Sequence, residues 1–137
     1  MKILFLCRGN VGRSQMAEFL MKKNFGDTYD VISAGTKLSG PEEEIGNLTP
    51  AINEVLEVMN EEGIDVSKAI RNQVTEEMVN SSDKVIALLE DEELPEYLVD
   101  SPKVIRWYVV DPKGKDLDET RKIKDEIKEL ILNMDFK

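Results

Sequence analysis

Short apolar runs alternate with stretches whose apolar residues recur at helical spacing, and this alternation predicts the elements. Ile3–Leu6 is an apolar run closed by a glycine-containing loop, which predicts a buried strand. From Ser14 to Phe25, Met16, Ala17, Leu20 and Met21 fall on one helical face. Tyr29–Ser33 reads as a second strand, ended by Ala34-Gly35, and a polar loop broken by Gly40, Pro41 and Gly46 runs to Asn47. Thr49-Pro50 combines a capping hydroxyl with a first-turn proline, so a helix is expected to start there. Ile52, Val55, Leu56 and Met59 give that helix its apolar face, and Gly63 closes it. Thr75 to Ser81 predicts a short helix and Val85–Leu89 a third strand. An acidic segment (Glu90, Asp91, Glu92, Glu93) leads to a fourth strand over Val104–Val110. The last helix places Ile123, Ile127, Leu130, Ile131 and Met134 on one side.

Strands with little internal alternation, separated by amphipathic helices, imply a parallel sheet covered on both faces. The expected fold class is α/β: a small doubly wound four-stranded parallel sheet, order 2-1-3-4, with helices on both faces. Residues 1–137 read as a single domain, with no repeat, low-complexity tract or long linker. In such sheets ligands bind beyond the carboxyl ends of the strands. Cys7 ends strand 1 and Asp111 follows strand 4, so the topology brings both to one edge.

Composition narrows the chemistry. One cysteine and no histidine exclude an intrachain disulfide, a cysteine zinc cluster and Ser-His or Cys-His catalysis. No run is long enough to span a membrane, Met1 to Cys7 does not read as a signal peptide, and a reducing cytoplasm is the expected setting. The net charge of −10 argues against a nucleic-acid surface. The charge is uneven: residues 1–39 hold six basic and three acidic side chains, so the one locally basic stretch surrounds Cys7.

That stretch contains Cys7-Arg8-Gly9-Asn10-Val11-Gly12-Arg13-Ser14, set between a strand and a helix. A helix N-terminus leaves backbone N–H groups unpaired and carries partial positive charge. Gly9 and Gly12 let a short loop curl, and Asn10 tolerates a left-handed conformation. Arg8, Gly9, Asn10, Val11, Gly12 and Ser14 therefore form an expected cradle for a phosphate-sized anion. Arg13 can clamp two of its oxygens. Cys7 sits in the same field, which favours its thiolate, and Ser14 can donate to that sulfur. A lone cysteine after a strand is more often a small buried hydrophobe; the joint pattern points instead to a nucleophile beneath a tetraoxyanion. A phosphate ester's leaving oxygen needs a proton, and without histidine a carboxylic acid must supply it. Asp111-Pro112 stands at the right edge, although Asp-Pro is also a common turn former. Asp83 and Asp100 precede or lie outside strand ends.

These motifs resemble the low-molecular-weight protein tyrosine phosphatases and the arsenate reductases that share their fold. The likeness runs through residues 7–18, 33–36, 61–67 and 111–115, that is, CRGNVGRSQMAE, SAGT, EEGIDVS and DPKGK. It implies Cys7 as nucleophile, Arg13 as oxyanion clamp, Asn10 and Ser14 as loop supports, and Asp111 as general acid. The implied activity is metal-independent hydrolysis of a phosphate monoester, phosphotyrosine included, through a phosphocysteine; no cofactor is expected. The alternative is arsenate reduction turned over by an external small thiol or thiol protein. The expected partners are a phosphate or arsenate oxyanion and a phosphorylated small molecule or protein, with neither nucleic acid nor membrane.

Departures from the pattern shape these expectations. Thioredoxin-coupled arsenate reductases use two further cysteines, the first falling near Leu89, and this chain has neither. Many family phosphatases carry a second cysteine at the Gly12 position, so an oxidised Cys7 here has no local partner. The stretch Lys37-Leu38-Ser39-Gly40-Pro41 lacks the aromatic that stacks on phosphotyrosine, and Glu42, Glu43 and Glu44 are either a wall of the mouth or a solvated loop. Trp107 and Tyr108 are expected in the core rather than in a pocket wall. Arg8 is either a second cationic contact at the rim or a solvated charge. Some reductase relatives bind potassium through residues matching Asn10, Glu18, Ser33 and Asp65, and the resemblance extends that option here, against an ordinary hydrogen-bond network. A phosphocysteine carrier of sugar transport typically lacks the clamp arginine and the acid, and a dead binding module would have lost one of Cys7, Arg13 and Asp111.

Overall fold

A computed structural model describes residues 1–92 and 94–134; Glu93 of the acidic segment lies outside the described residues. Four parallel strands, β1 (Lys2–Cys7), β2 (Asp30–Gly35), β3 (Lys84–Leu89) and β4 (Val104–Tyr108), stand in the order β2-β1-β3-β4. The central pair β1 and β3 is buried from Ile3 to Cys7 and from Val85 to Leu89. Burial on both faces explains why these runs show no polar alternation.

Helices α1 (Arg13–Phe25), α2 (Asn53–Glu61) and α5 (Leu117–Leu132) cover the face formed by Ile3, Phe5, Ile86 and Leu88. The short helices α3 (Glu76–Ser81) and α4 (Glu96–Val99) contribute Val79 and Leu98 to the other face, with Leu4, Leu6 and Val85. Adjacent β1 residues thus feed opposite layers, as the two-residue strand period requires. Among the described residues no helix is long and apolar enough to cross a membrane.

Four local expectations need correction. The helix expected at Thr49-Pro50 starts at Asn53, because Ala51 N–H closes a turn on Leu48 O and Asn53 N–H one on Pro50 O. The polar loop before it contains a 3₁₀ turn, Ile45–Leu48, anchored by the fully buried Ile45. β4 stops at Tyr108, two residues early, and the chain then leaves the sheet edge toward the end of β1. Trp107 packs against Phe5 with ring centroids 6.2 Å apart, whereas Tyr108, expected in the core, is 67% exposed and lies under Arg106.

Candidate active site

Residues 8–12 join the end of β1 to the start of α1, whose N-cap, Gly12, offers no side chain to the first-turn amides. Those N–H groups stay available to a ligand. The loop's carbonyls are held from outside. Thr36 N–H donates to Cys7 O at 2.8 Å and Lys37 N–H to Arg8 O at 3.0 Å. Arg71 Nη2 donates to Gly9 O at 3.0 Å, and Gln15 Nε2 to Asn10 O at 3.2 Å. A trans peptide points its C=O and the following N–H in opposite directions, so the amides that follow turn to the concave side and form an anion nest. Asn10 adopts the left-handed conformation, with φ 53°. β2 approaches this loop so closely that a Cβ on Gly35 would lie 2.7 Å from Arg8 O.

Cys7 is buried, and Ser14 Oγ lies 2.9 Å from its sulfur. Asn72 N–H donates to Asn10 Oδ1 at 2.8 Å, which fixes the amide so that Nδ2 is the donor toward Ser14 Oγ at 2.7 Å. Ser14 Oγ, accepting there, keeps its own hydrogen and can donate it to the sulfur. The relay Asn72–Asn10–Ser14–Cys7 is suited to holding a thiolate.

Arg13 is 2% exposed and reaches across the sheet edge. Glu92 accepts from Nη2 at 2.5 Å and from Nη1 at 3.3 Å, and Val109 O accepts from Nη1 at 3.2 Å. Asp111 Oδ2 lies 3.6 Å from Nη2. Burial alone would depress the Arg13 pKa; the Glu92 hydrogen bond and the charges of Cys7, Asp111 and Glu92 outweigh it, and the net direction is upward. Burial pulls Glu92 the other way, but Arg13 and the Glu90 amide bring its carboxyl below the ordinary range.

Three contacts dock the Asp111 loop on this assembly. Val109 O meets Arg13. Asp111 N–H donates to Glu90 Oε1 at 2.6 Å. Pro112 packs so tightly on Gly12 that a Cβ there would stand 2.8 Å from its ring. The structure thus brings Cys7, Asn10, Arg13, Ser14 and Asp111 to one edge, with the Asp111 side chain 43% exposed. Asp83 is at the opposite end, accepting from Lys2 N–H.

Arg8 is exposed and lines a cavity of about 470 Å³ with Lys37, Asp91 and Glu92. The Glu42 carboxylate accepts from Gln73 N–H. Of the potassium set, Asn10, Ser33 and Glu18 are linked by hydrogen bonds. Asp65 is exposed and accepts from Ser67 N–H, and Asn72 N–H donates to Asn10 Oδ1. Ser33 donates to Glu18 at 2.6 Å, the other Glu18 oxygen pairs with the Lys22 ammonium at 2.5 Å, and Asn10 presents Nδ2, a donor, to Ser33. The Glu18 carboxylate is thus already paired with a cation, and Asn10 turns its donor side toward Ser33. Sequence reasoning missed Gln15, Arg71, Asn72, Glu90 and Glu92 as supports. The polar Gln15, buried on an apolar helical face, was the one available signal.

A sequence model described as low molecular weight phosphotyrosine protein phosphatase matches residues 2–134. Arsenate reductase 2 of Staphylococcus haemolyticus (strain JCSC1435) is 37% identical over 131 residues, 94% of this chain and 92% of the relative. A low molecular weight protein tyrosine phosphatase from T. tengcongensis superposes with a TM-score of 0.75 at 31% identity, covering 96% of this chain and 95% of that one. An arsenate reductase in the phosphate binding state gives 0.77 at 28% identity, covering 96% and 94%. By fold, by the loop between β1 and α1, and by these likenesses, the chain belongs to the low molecular weight phosphotyrosine protein phosphatase family.

Proposed function

We propose that the protein hydrolyses phosphate monoesters through a phosphocysteine. The observation that carries this is the convergence at one sheet edge of the Ser14-bonded Cys7 sulfur, the amide nest and the Arg13 guanidinium. The Cys7 thiolate attacks phosphorus, the bond to the leaving oxygen breaks, and Asp111 gives that oxygen its proton. Asp111, now a carboxylate, takes a proton from water as the water attacks phosphorus. The S–P bond breaks, and inorganic phosphate and the thiolate are regenerated. Amides and Arg13 hold the equatorial oxygens throughout. Nucleophile, acid and counter-charge all come from side and main chain, so the route uses no metal. The pocket rim carries no stacking aromatic at 37–41, which supports phosphate monoesters as the class over phosphotyrosine alone.

The relatives named arsenate reductases support a second reading. Cys7 would attack arsenic and release water. An external thiol would then attack the Cys7 sulfur, forming a mixed disulfide and releasing arsenite with the electron pair, and a second thiol would restore Cys7. The single cysteine makes outside thiols obligatory for that route.

An aryl phosphate assay with Cys7→Ser and Asp111→Asn tests the first reading. Cys7→Ser is expected to abolish turnover, and Asp111→Asn to lower kcat on poor leaving groups by roughly 10²–10⁴. Undiminished turnover in Cys7→Ser, or arsenite release with small thiols and no ester hydrolysis, overturns it.

A further inference from the structure

The turn after β3 touches both ends of the proposed machinery, and no part of the hydrolytic scheme above uses it. Its contacts form one connected set. The Glu92 carboxylate bridges the two terminal nitrogens of Arg13, and its Oε1 also accepts from Glu90 N–H at 2.5 Å. The Glu90 carboxylate accepts the Asp111 amide at 2.6 Å. Behind them, Arg106 Nη2 donates to Glu90 O at 2.7 Å and to Glu92 O at 3.0 Å, holding the turn by its backbone.

The donor inventory of Arg13 shows what this arrangement does. A guanidinium has five N–H donors in a fixed plane. Both Nη1 hydrogens are engaged, one by Glu92 and one by Val109 O, and one Nη2 hydrogen is engaged by Glu92. Among the described residues, the Nε–H and the second Nη2–H have no hydrogen-bond acceptor, with Asp111 Oδ2 standing 3.6 Å from Nη2 as an ion-pair partner. They lie on the same edge of the plane, and that edge is the one a tetrahedral oxyanion can meet with two oxygens. Glu92 thus fixes the plane from its far end and leaves the side edge for substrate. Glu90, two residues earlier, ties down the amide of the residue that must deliver the proton.

We propose that the Glu90–Glu92 turn is a positioning element, in which Glu92 orients Arg13 toward the oxyanion and Glu90 sets the Asp111 loop over the leaving group. The proposal rests on the hydrolase reading for Glu90, whereas the Glu92 half needs only oxyanion binding. Neither residue is catalytic, since each acts through another.

The test uses the full chain and four variants: Glu92→Gln, Glu92→Ala, Glu90→Gln and Glu90→Ala. Oxyanion grip is read without turnover, as the protection that inorganic phosphate gives Cys7 against alkylation by iodoacetamide. Proton delivery is read as kcat on two aryl phosphates, one with a good and one with a poor leaving group. Melting temperatures establish that each variant is folded. Glu92→Ala is expected to raise the phosphate concentration for half-protection by about 10–100-fold, the scale of losing orientation by an ångström. Glu92→Gln, which keeps one acceptor but loses the charge, falls between. Glu90→Ala is expected to slow the poor leaving group by about tenfold or more while sparing the good one and the phosphate protection. Glu90→Gln, whose amide oxygen still accepts the Asp111 N–H, restores the rate. Unchanged protection in Glu92→Ala overturns the Glu92 half; equal slowing of both esters in Glu90→Ala overturns the Glu90 half. A wild type that hydrolyses neither ester removes the hydrolase reading and the Glu90 half together, while protection still decides Glu92.

Discussion

Asn10 gives the sharpest energetic test of the loop between β1 and α1, because its backbone and its side chain contribute separately. Its φ of 53° sits where a Cβ crowds the following carbonyl, a cost asparagine tolerates better than alanine. Its fully buried side chain makes four hydrogen bonds: Nδ2 donates to Ser14 Oγ and Ser33 Oγ, and Oδ1 accepts from Gln15 Nε2 and Asn72 N–H. Asn10→Ala adds about 1 kcal/mol of left-handed strain. It also leaves the Asn72 amide and its neighbours short of partners, at about 1–3 kcal/mol for a buried unsatisfied group. The expected loss is about 2–4 kcal/mol, a large share of a typical domain's stability of about 5–15 kcal/mol. Asn10→Gly removes the strain and keeps the lost bonds, so it is expected to be milder by about 1 kcal/mol. Urea unfolding of both variants against wild type, with the slope of the transition checked for constancy, measures this. A loss under about 1 kcal/mol in Asn10→Ala, or glycine no milder than alanine, refutes the reasoning.

Glu62 is the hub of a second charge cluster, accepting from Lys128 at 2.8 Å and Lys124 at 2.9 Å, with Lys23 at 3.8 Å. These bonds, Lys128 first, outweigh desolvation and bring its carboxyl from 4.5 to about 2. A depressed carboxylate stabilises the fold above its ordinary value and loses that contribution as pH falls toward the folded one. Wild type is therefore expected to shed about 2–3 kcal/mol between pH 4.5 and 2 from this group, a slope absent in Glu62→Gln; parallel acid profiles would contradict it. Replacing potassium with a large organic cation is expected to leave the melting temperature unchanged, since Lys22 already neutralises Glu18; a drop would restore a cation to that cluster. Peroxide is expected to inactivate the enzyme in a form that excess thiol does not rescue, because oxidised Cys7 has no cysteine partner; full rescue argues the reverse.

Hydrophobic spacing was enough to locate the four strands, α1 and α5; β1 and β3 are buried along their length and α5 along one face, while the edge strand β4 is only half-buried and was placed by its apolar run. It failed where one apolar residue anchors four: Ile45 and Leu98 are fully buried in turns too short to show a period. The loop from Cys7 to Ser14 was legible because its chemistry is local: glycines, a left-handed asparagine and a helix start within eight residues. Its supports were not. Glu92 meets Arg13 across 79 positions and Asn72 meets Asn10 across 62, and on the page an acidic run looks like solvated surface.

The most direct measurement is to trap the covalent intermediate. Asp111→Asn mixed with an aryl phosphate bearing a good leaving group, quenched in acid and digested, is expected to carry one phosphoryl group on the peptide containing Cys7. The good leaving group departs without a proton donor, while hydrolysis of the S–P bond still lacks its base. The label is expected to vanish in Cys7→Ser. A phosphoryl group on another residue, or rapid phosphate release with no sulfur-bound phosphate at any time, would contradict the account.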